Sequence, residues 1–173
     1  MVMTKLIALI ALIVLVSGSL ITVSAQVTAN ASGTANVITP IEISNSGDLN
    51  FGNISISPTS AGTVTLTPDN VRSATGGVTL PVAVGTFNSA SFKVTGISSS
   101  TFAITLPPTA CIISNGSNSI TVDAFTSTPS GTGALSNVGS QTINVGATLN
   151  VSAGQEAGTY TNGTGFPVKV NYN

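Results

Sequence analysis

The sequence predicts an all-β fold, an antiparallel immunoglobulin-like β-sandwich preceded by a cleaved signal peptide. Apolar residues alternate with Thr, Ser and Asn in about ten short stretches, and a period of two is typical of strands with one buried face. Clusters of Gly, Pro, Asn and Ser separate these stretches at the short intervals of a sandwich. No helical period follows the signal peptide, and a small β-barrel is the alternative architecture.

Residues 1–25 are predicted to be the secretory signal peptide. Lys5 precedes an uninterrupted apolar run at residues 6–16, and Val-Ser-Ala at 23–25 supplies a small-x-small cleavage site. The run is too short for a membrane anchor, since a spanning helix needs about 20 apolar residues. The mature chain, residues 26–173, is expected to be a single β-sandwich domain without membrane association. Its expected location is the periplasm, the cell surface or the medium.

The first predicted strand covers residues 27–37. Small apolar residues alternate there with Thr, Asn and Ser, so one face carries no bulky side chain. Such a pattern suits an ordinary first strand of a complete sandwich, which is favoured, or a strand donated to a neighbouring molecule. The small face consists of Val27, Ala29, Ala31, Gly33, Ala35 and Val37.

Two connections in the second half of the chain are predicted from their turn residues. Residues 127–139 are rich in Ser, Gly and Pro and are expected to form a long loop. Gly146 and Ala147 are expected to turn a hairpin between two apolar pairs. The strands predicted between the first and the last lie near residues 41–43, 49–54, 63–67, 78–84, 90–94, 102–106, 120–125, 143–145 and 149–151.

The last predicted strand contains Phe166, Val168, Val170 and Tyr172, which alternate with polar residues or proline. Four apolar side chains on one face need a core, and the backbone groups of the strand need a partner. This strand and residues 27–37 are therefore the two candidate assembly strands.

Residues that carry chemistry are scarce. The 173-residue chain has four Lys or Arg, five Asp or Glu and no His. Without His, the commonest general base and the commonest metal ligand are missing. So few cations could not neutralise a phosphate backbone, which excludes nucleic acid as a partner. The chain is expected not to be an enzyme, and no catalytic residue, metal or cofactor is predicted.

Cys111 is the one cysteine, so the chain cannot form a disulfide with itself. Its neighbours include Ile112 and Ile113 and no cationic residue, which predicts a small buried hydrophobic side chain. An intermolecular disulfide in an exported protein is the alternative.

Several groups of residues together resemble a known family. They are NVITPIEI at 36–43, LNFGNI at 49–54, GTVTL at 62–66 with GGV at 76–78, and VGATLNV at 145–151 with QEAGTY at 155–160. In this order and spacing they are similar to the bacterial family called domain of unknown function 4402. The resemblance covers essentially the whole mature chain. It implies a secreted β-domain and no particular activity.

A looser resemblance involves AGTY at 157–160 followed by the alternating last strand. This combination is similar to chaperone–usher pilins and spore-coat U-type domains. The resemblance implies that a periplasmic chaperone pairs with the last strand until a segment of a neighbouring copy replaces it. Pilins of this type usually carry a disulfide, from which this chain departs.

The expected function is therefore that of an exported, non-catalytic structural or surface protein, pilin-like or adhesion-type. Its expected partner is itself or a periplasmic chaperone. The alternative is a monomeric secreted module that binds glycans or a surface through loops such as residues 127–139. The aromatic residues available at loop ends for that purpose are Phe87, Phe125 and Tyr160.

Overall fold

The computed structural model of the protein describes residues 25–173 and contains twelve strands and no helix in that part of the chain. All paired strands are antiparallel, so the predicted all-β antiparallel fold class is confirmed. The strands are β1 (Glu42–Gly47), β2 (Ser55–Ile56), β3 (Gly62–Leu66), β4 (Arg72–Gly76), β5 (Val78–Thr79), β6 (Ala90–Thr95), β7 (Thr101–Thr105), β8 (Cys111–Asn115), β9 (Asn118–Thr128), β10 (Thr132–Ala134), β11 (Ser140–Val151) and β12 (Lys169–Tyr172).

The predicted signal peptide lies outside the described residues except for Ala25. Within residues 25–173, no helix is long and apolar enough to cross a membrane.

The central element of the largest sheet is β11. One edge of β11 pairs with β6 along residues 140–145 and then with β3 along residues 147–151. Its other edge pairs with β9, and β1, β4 and β8 extend the sheet from β6, β3 and β9. Because one strand of 12 residues serves three neighbours, it connects two halves of the sheet.

Two smaller sheets accompany the large one. The first has the strand order β10-β7-β12, and the second pairs β2 with β5.

Each half of the large sheet has its own apolar core. The first core comprises Phe51, Val64, Leu66, Val78, Ile120, Val122, Ala147, Leu149 and Val151. The second core, which side chains of β7 help to form, comprises Ala90, Val94, Phe102, Ile104, Leu135, Ile143 and Val145.

The hairpin predicted at Gly146 and Ala147 is wrong, because β11 continues straight through both residues. The pairing of β11 with β9 shifts register between Gly146 and Thr148, so the glycine marks a β-bulge. A Cβ atom on Gly146 would overlap the carbonyl oxygen of Leu66. Glycine is therefore needed here for the close approach of β3 and not for a turn.

The long loop predicted at residues 127–139 is also wrong in part. The end of β9 and all of β10 lie within this range, and Leu135 is only 3% exposed. Conversely, the strand predicted at 78–84 ends after Thr79, and Val82 is fully exposed. Pro81, which cannot donate to a ladder, lies just after the break.

The strand predicted over residues 27–37 does not form in the structure. Residues 25–36, described as a unit of their own, hold no strand, and each of them is exposed. The small face of Val27, Ala29, Ala31, Ala35 and Val37 buries too little apolar area to offset the entropy of ordering a strand without a paired edge. Residues 37–40 of the following unit are likewise exposed and outside any strand.

Candidate functional site: an open seam between two sheets

The apolar face of the last strand contacts the second core. Phe166, Val168, Val170 and Tyr172 are partly buried against that core, and the three residues between them are exposed. The predicted alternation is confirmed, although regular pairing is limited to β12. These four side chains are thus placed at the rim of the core.

Only one edge of β12 is paired in the described part of the chain. Its partner is β7, with Tyr172 opposite Phe102. The N–H of Asn173 donates to the carbonyl oxygen of Thr101 at 3.3 Å. Hydrogen-bonded and non-bonded pairs alternate in an antiparallel ladder, so the backbone groups of Val170 and Tyr172 point away from β7. This outer edge can accept another strand.

Near β12 lies β1, the outer strand of the large sheet, whose only strand partner among the described residues is β6. Cα atoms of β1 and β12 approach within 8 Å, but the two strands do not pair. Ile41 and Ile43 from the side of β1, and Val168 and Val170 from the side of β12, are partly buried against the same core. We call this gap between β1 and β12 the seam.

Hydrogen bonds of Tyr172 close one end of the seam. Its hydroxyl accepts from the N–H of Ile97 at 2.7 Å and donates to the carbonyl oxygen of Thr39 at 3.2 Å. A recess of 350 Å³ lies beside it, with Ile38 and Asn173 among the residues that line it. The chain that precedes β1 is therefore held against the end of β12.

The other end of the seam opens into a cavity of 1480 Å³, which we call the trough. Asn45 and Asp48, at the end of β1, line it together with Phe166, which precedes β12. Its apolar lining is part of the first core and includes Ile120, Val122 and Leu149. A cavity with apolar side chains within and amide side chains at its rim suits an extended peptide.

Arg72 holds one wall of the trough. Its Nη1 donates to the carbonyl oxygens of Phe51 and Asn53, the latter at 3.1 Å. Its guanidinium also lies over the ring of Phe87, 4.6 Å from the centroid. Sequence reasoning did not identify Arg72, because its partners are distant in the chain and no local motif connects them.

Tyr160 holds the opposite wall. Its hydroxyl donates to the carbonyl oxygen of Glu156 at 2.8 Å and accepts from Nε2 of Gln155 at 2.9 Å. Thr161 then exchanges two backbone hydrogen bonds with Ser114 of β8, at 2.9 and 3.0 Å. Both walls of the trough are thus fixed by hydrogen bonds within the domain.

A family model with the description Domain of unknown function (DUF4402) matches residues 41–172. The chain belongs to this DUF4402 family. The family resemblance inferred from the sequence is confirmed, whereas the looser likeness to pilins stays a prediction. No curated protein and no solved structure matches the chain.

The matched part of this DUF4402 chain begins at Ile41, one residue before β1. It includes every described strand, and so both sides of the seam. The alternating residues 27–37 precede it. The two candidate assembly strands therefore differ in kind, because one is built into the DUF4402 domain and the other lies ahead of it.

In residues 25–173, no group of three or more Cys, Asp or Glu side chains is close enough to hold a metal ion.

The three aromatic residues considered for glycan stacking all have other contacts. Phe87 lies under Arg72, the Phe125 ring is 4.8 Å from that of Phe166, and Tyr160 is hydrogen-bonded in its wall. The structure thus gives the glycan-binding alternative no free aromatic platform among these three residues.

Cys111 lines the trough and is partly buried. Burial raises the pKa of its thiol above the ordinary value, and hydrogen bonds with its own backbone and with the Asn162 side chain oppose this rise. Thiolate is the reactive form of cysteine.

We expect Cys111 to react with Ellman's reagent more slowly in the folded DUF4402 domain than in urea, and the difference between the two rates to narrow as the pH rises. Equal rates at neutral pH would contradict this, and Cys111→Ser provides the blank.

Proposed function

We propose that this chain is an exported, non-catalytic structural protein that assembles with copies of itself by strand exchange. In this proposal, residues 27–37 of one copy, the donor segment, enter the seam of another copy. The observation that carries the proposal is the coexistence of an alternating but unpaired donor segment with an unpaired strand edge whose apolar side chains are only partly buried against the second core. The donor segment lacks a strand edge to pair with, and the outer edge of β12 lacks a partner strand, so each can complete the pairing of the other.

The chemistry of the donor segment suits burial in the seam. Residues 27–37 contain no charged side chain, so their insertion desolvates no charge. Their small face would cover Ile43, Val168 and Val170, and each square ångström of apolar surface so buried contributes about 25 cal/mol. Their Thr, Asn and Ser residues would face outward, as the exposed residues of β12 do.

The backbone of the donor segment would pair with the free edge of β12. Because an inserted strand needs about 10 Å between its two partners, β1 and β12 would separate locally when the donor enters. A periplasmic chaperone could protect the same edge before exchange. The proposed location is the periplasm, the cell surface or the medium, in keeping with the predicted signal peptide.

Single charges on the two faces of the donor segment test this proposal. In the mature chain, residues 26–173, Ala31→Asp places a carboxylate on the small face, and the matched control Asn30→Asp places it on the outer face. We expect the wild-type chain and Asn30→Asp to form polymers, and Ala31→Asp to remain monomeric because a charge cannot enter the seam unpaired. Size-exclusion chromatography with light scattering and negative-stain microscopy give the readout.

Two controls complete this experiment. Reducing agent in parallel samples separates strand exchange, which it leaves unchanged, from an intermolecular Cys111 disulfide, which it abolishes. Thermal unfolding followed by circular dichroism, at a concentration at which both variants are monomeric, is expected to give the same midpoint for both, because the donor segment is exposed in the single chain. A wild-type chain that stays monomeric, or an Ala31→Asp chain that polymerises normally, would overturn the proposal.

A further inference from the structure

We infer that the hydroxyl of Tyr172 is a latch, which holds the seam closed and must release before a donor segment can enter. The hydroxyl joins the last residue of β12 to Thr39, in the part of the chain that leads to β1. This inference rests on the proposed strand exchange and adds its regulation, because the latch sets the fraction of chains that can accept a donor.

The link that the latch holds, residues 37–40, is weakly attached to the rest of the domain. All four of its residues are exposed, Val37 by 94% and Ile38 by 57%. Among the residues that the structure describes, Tyr172 is the one hydrogen-bond partner of the link. Its bond to Thr39 therefore decides whether the link lies against the end of β12 or moves away with the start of β1.

Tyr172 is the fixed part of the latch. Its side chain is partly buried against the second core, and β12 pairs with β7 along all four of its residues. The hydroxyl accepts from the N–H of Ile97 at 2.7 Å. A Cβ atom on Gly96 would overlap the hydroxyl oxygen, so this oxygen lies directly against the backbone. The hydroxyl thus stays in place when the link leaves it.

The two hydrogen bonds of the hydroxyl differ in the way a latch requires. The bond from Ile97 is short and partly buried, whereas the bond to Thr39 is 3.2 Å long and exposed. When the exposed bond breaks, water can satisfy both of its partners. The net contribution of one such bond is therefore about a factor of five in an equilibrium constant. A bond of this strength can open without disturbing the core.

The seam has to open before a donor segment can pair with β12. Cα atoms of β1 and β12 approach within 8 Å, whereas an inserted strand needs about 10 Å between its two partners. The link must therefore move away from Tyr172. Because the donor binds the open form alone, its apparent affinity and the initial rate of exchange are both reduced by the open fraction. Removal of the latch should raise both by the same factor.

A thiol on the β1 side of the seam measures how often the seam opens. The mature chain carries Ile43→Cys as the reporter, because this side chain is partly buried against the second core. It also carries Cys111→Ser, and Ala31→Asp keeps it monomeric. Tyr172→Phe then keeps the ring and removes the hydroxyl. We expect this change to raise the rate of reaction with Ellman's reagent, relative to the rate in urea, about fivefold.

Three further variants make the measurement specific. Tyr160→Phe is the matched control, since its hydroxyl also makes two hydrogen bonds but both lie within one wall of the trough. It should leave the labelling rate unchanged. Gly96→Ala keeps the hydroxyl of Tyr172 but displaces it, and should raise the rate as Tyr172→Phe does. In a chain that retains Cys111 and Ile43, Tyr172→Phe should not change the labelling of Cys111, which would detect general loosening.

The labelling experiment can overturn the latch whether or not the chains assemble. A rate unchanged by Tyr172→Phe, or raised equally by Tyr160→Phe, would do so. A reporter thiol that reacts in the folded chain as fast as in urea would do so too, because the seam would then already be open without release of the latch.

Polymer formation tests the regulatory role in chains without the reporter and without Ala31→Asp. At equal chain concentration, Tyr172→Phe should raise the initial rate of polymer formation about fivefold, measured by light scattering. An unchanged rate despite faster labelling would overturn this role. Faster labelling in chains that never form polymers would leave the latch standing and overturn the proposed strand exchange instead.

Discussion

Replacing Gly146 with alanine is expected to lower the free energy of unfolding by about 3 kcal/mol. The added Cβ would overlap the carbonyl oxygen of Leu66 and lie 2.6 Å from the carbonyl carbon of Thr67. Both are backbone atoms next to a paired strand, so neither can rotate away as a side chain could. Relief requires β3 and β11 to separate where Ala147 pairs with Leu66. Urea unfolding followed by circular dichroism measures the loss.

Gly163→Ala is the matched control for this substitution. Its Cβ would meet no atom within 4 Å, and its backbone is outside the left-handed region that favours glycine. We expect a change within about 0.5 kcal/mol, as for most exposed sites. Similar losses for the two variants would contradict the close approach of β3 as the cause of the loss at Gly146.

The misprediction at Gly146 has a physical cause. A Gly-Ala pair between two apolar pairs has the same local pattern whether the chain turns or continues. What keeps β11 straight is the presence of β9 on one edge and of β6 and β3 on the other. The residues paired with β11 lie between 16 and 89 positions away in the sequence, so no local signal could identify them.

Alternation was a better guide where one face of a strand meets a core. At Phe166, Val168, Val170 and Tyr172 it predicted both the strand and its buried face. At residues 27–37 it predicted a strand that does not form. A period of two identifies the face that a strand would bury, but a strand also needs a free edge to pair with.

The seam itself could not be predicted from the sequence. It exists because β1 and β12 are the outer strands of different sheets that share a core. Which strands lie outermost follows from the complete pairing pattern, and so does the contact of Tyr172 with Thr39, 133 residues away. The candidate strands were identified in advance, whereas the site that could receive a donor emerged only from the fold.

Replacing Phe102 with alanine is expected to lower the free energy of unfolding by about 3 to 5 kcal/mol. Its side chain is 0% exposed, and it lies on β7 between β10 and β12. A Cβ on Gly133 of β10 would overlap its ring, with 2.7 Å to Cε2. Gly133→Ala alone should therefore also destabilise the fold, by about 1 to 3 kcal/mol, because the ring must move.

The double variant distinguishes this packing from an independent role of each residue. Once Phe102→Ala has removed the ring, the methyl group added by Gly133→Ala enters a cavity, so its cost should largely disappear. Strictly additive losses in urea unfolding would contradict the direct contact. Because β7 also carries β12, both single variants should weaken polymer formation and stability together. Ala31→Asp, by contrast, should abolish polymers while leaving the stability of the monomer unchanged, and that contrast separates damage to the acceptor from loss of the donor.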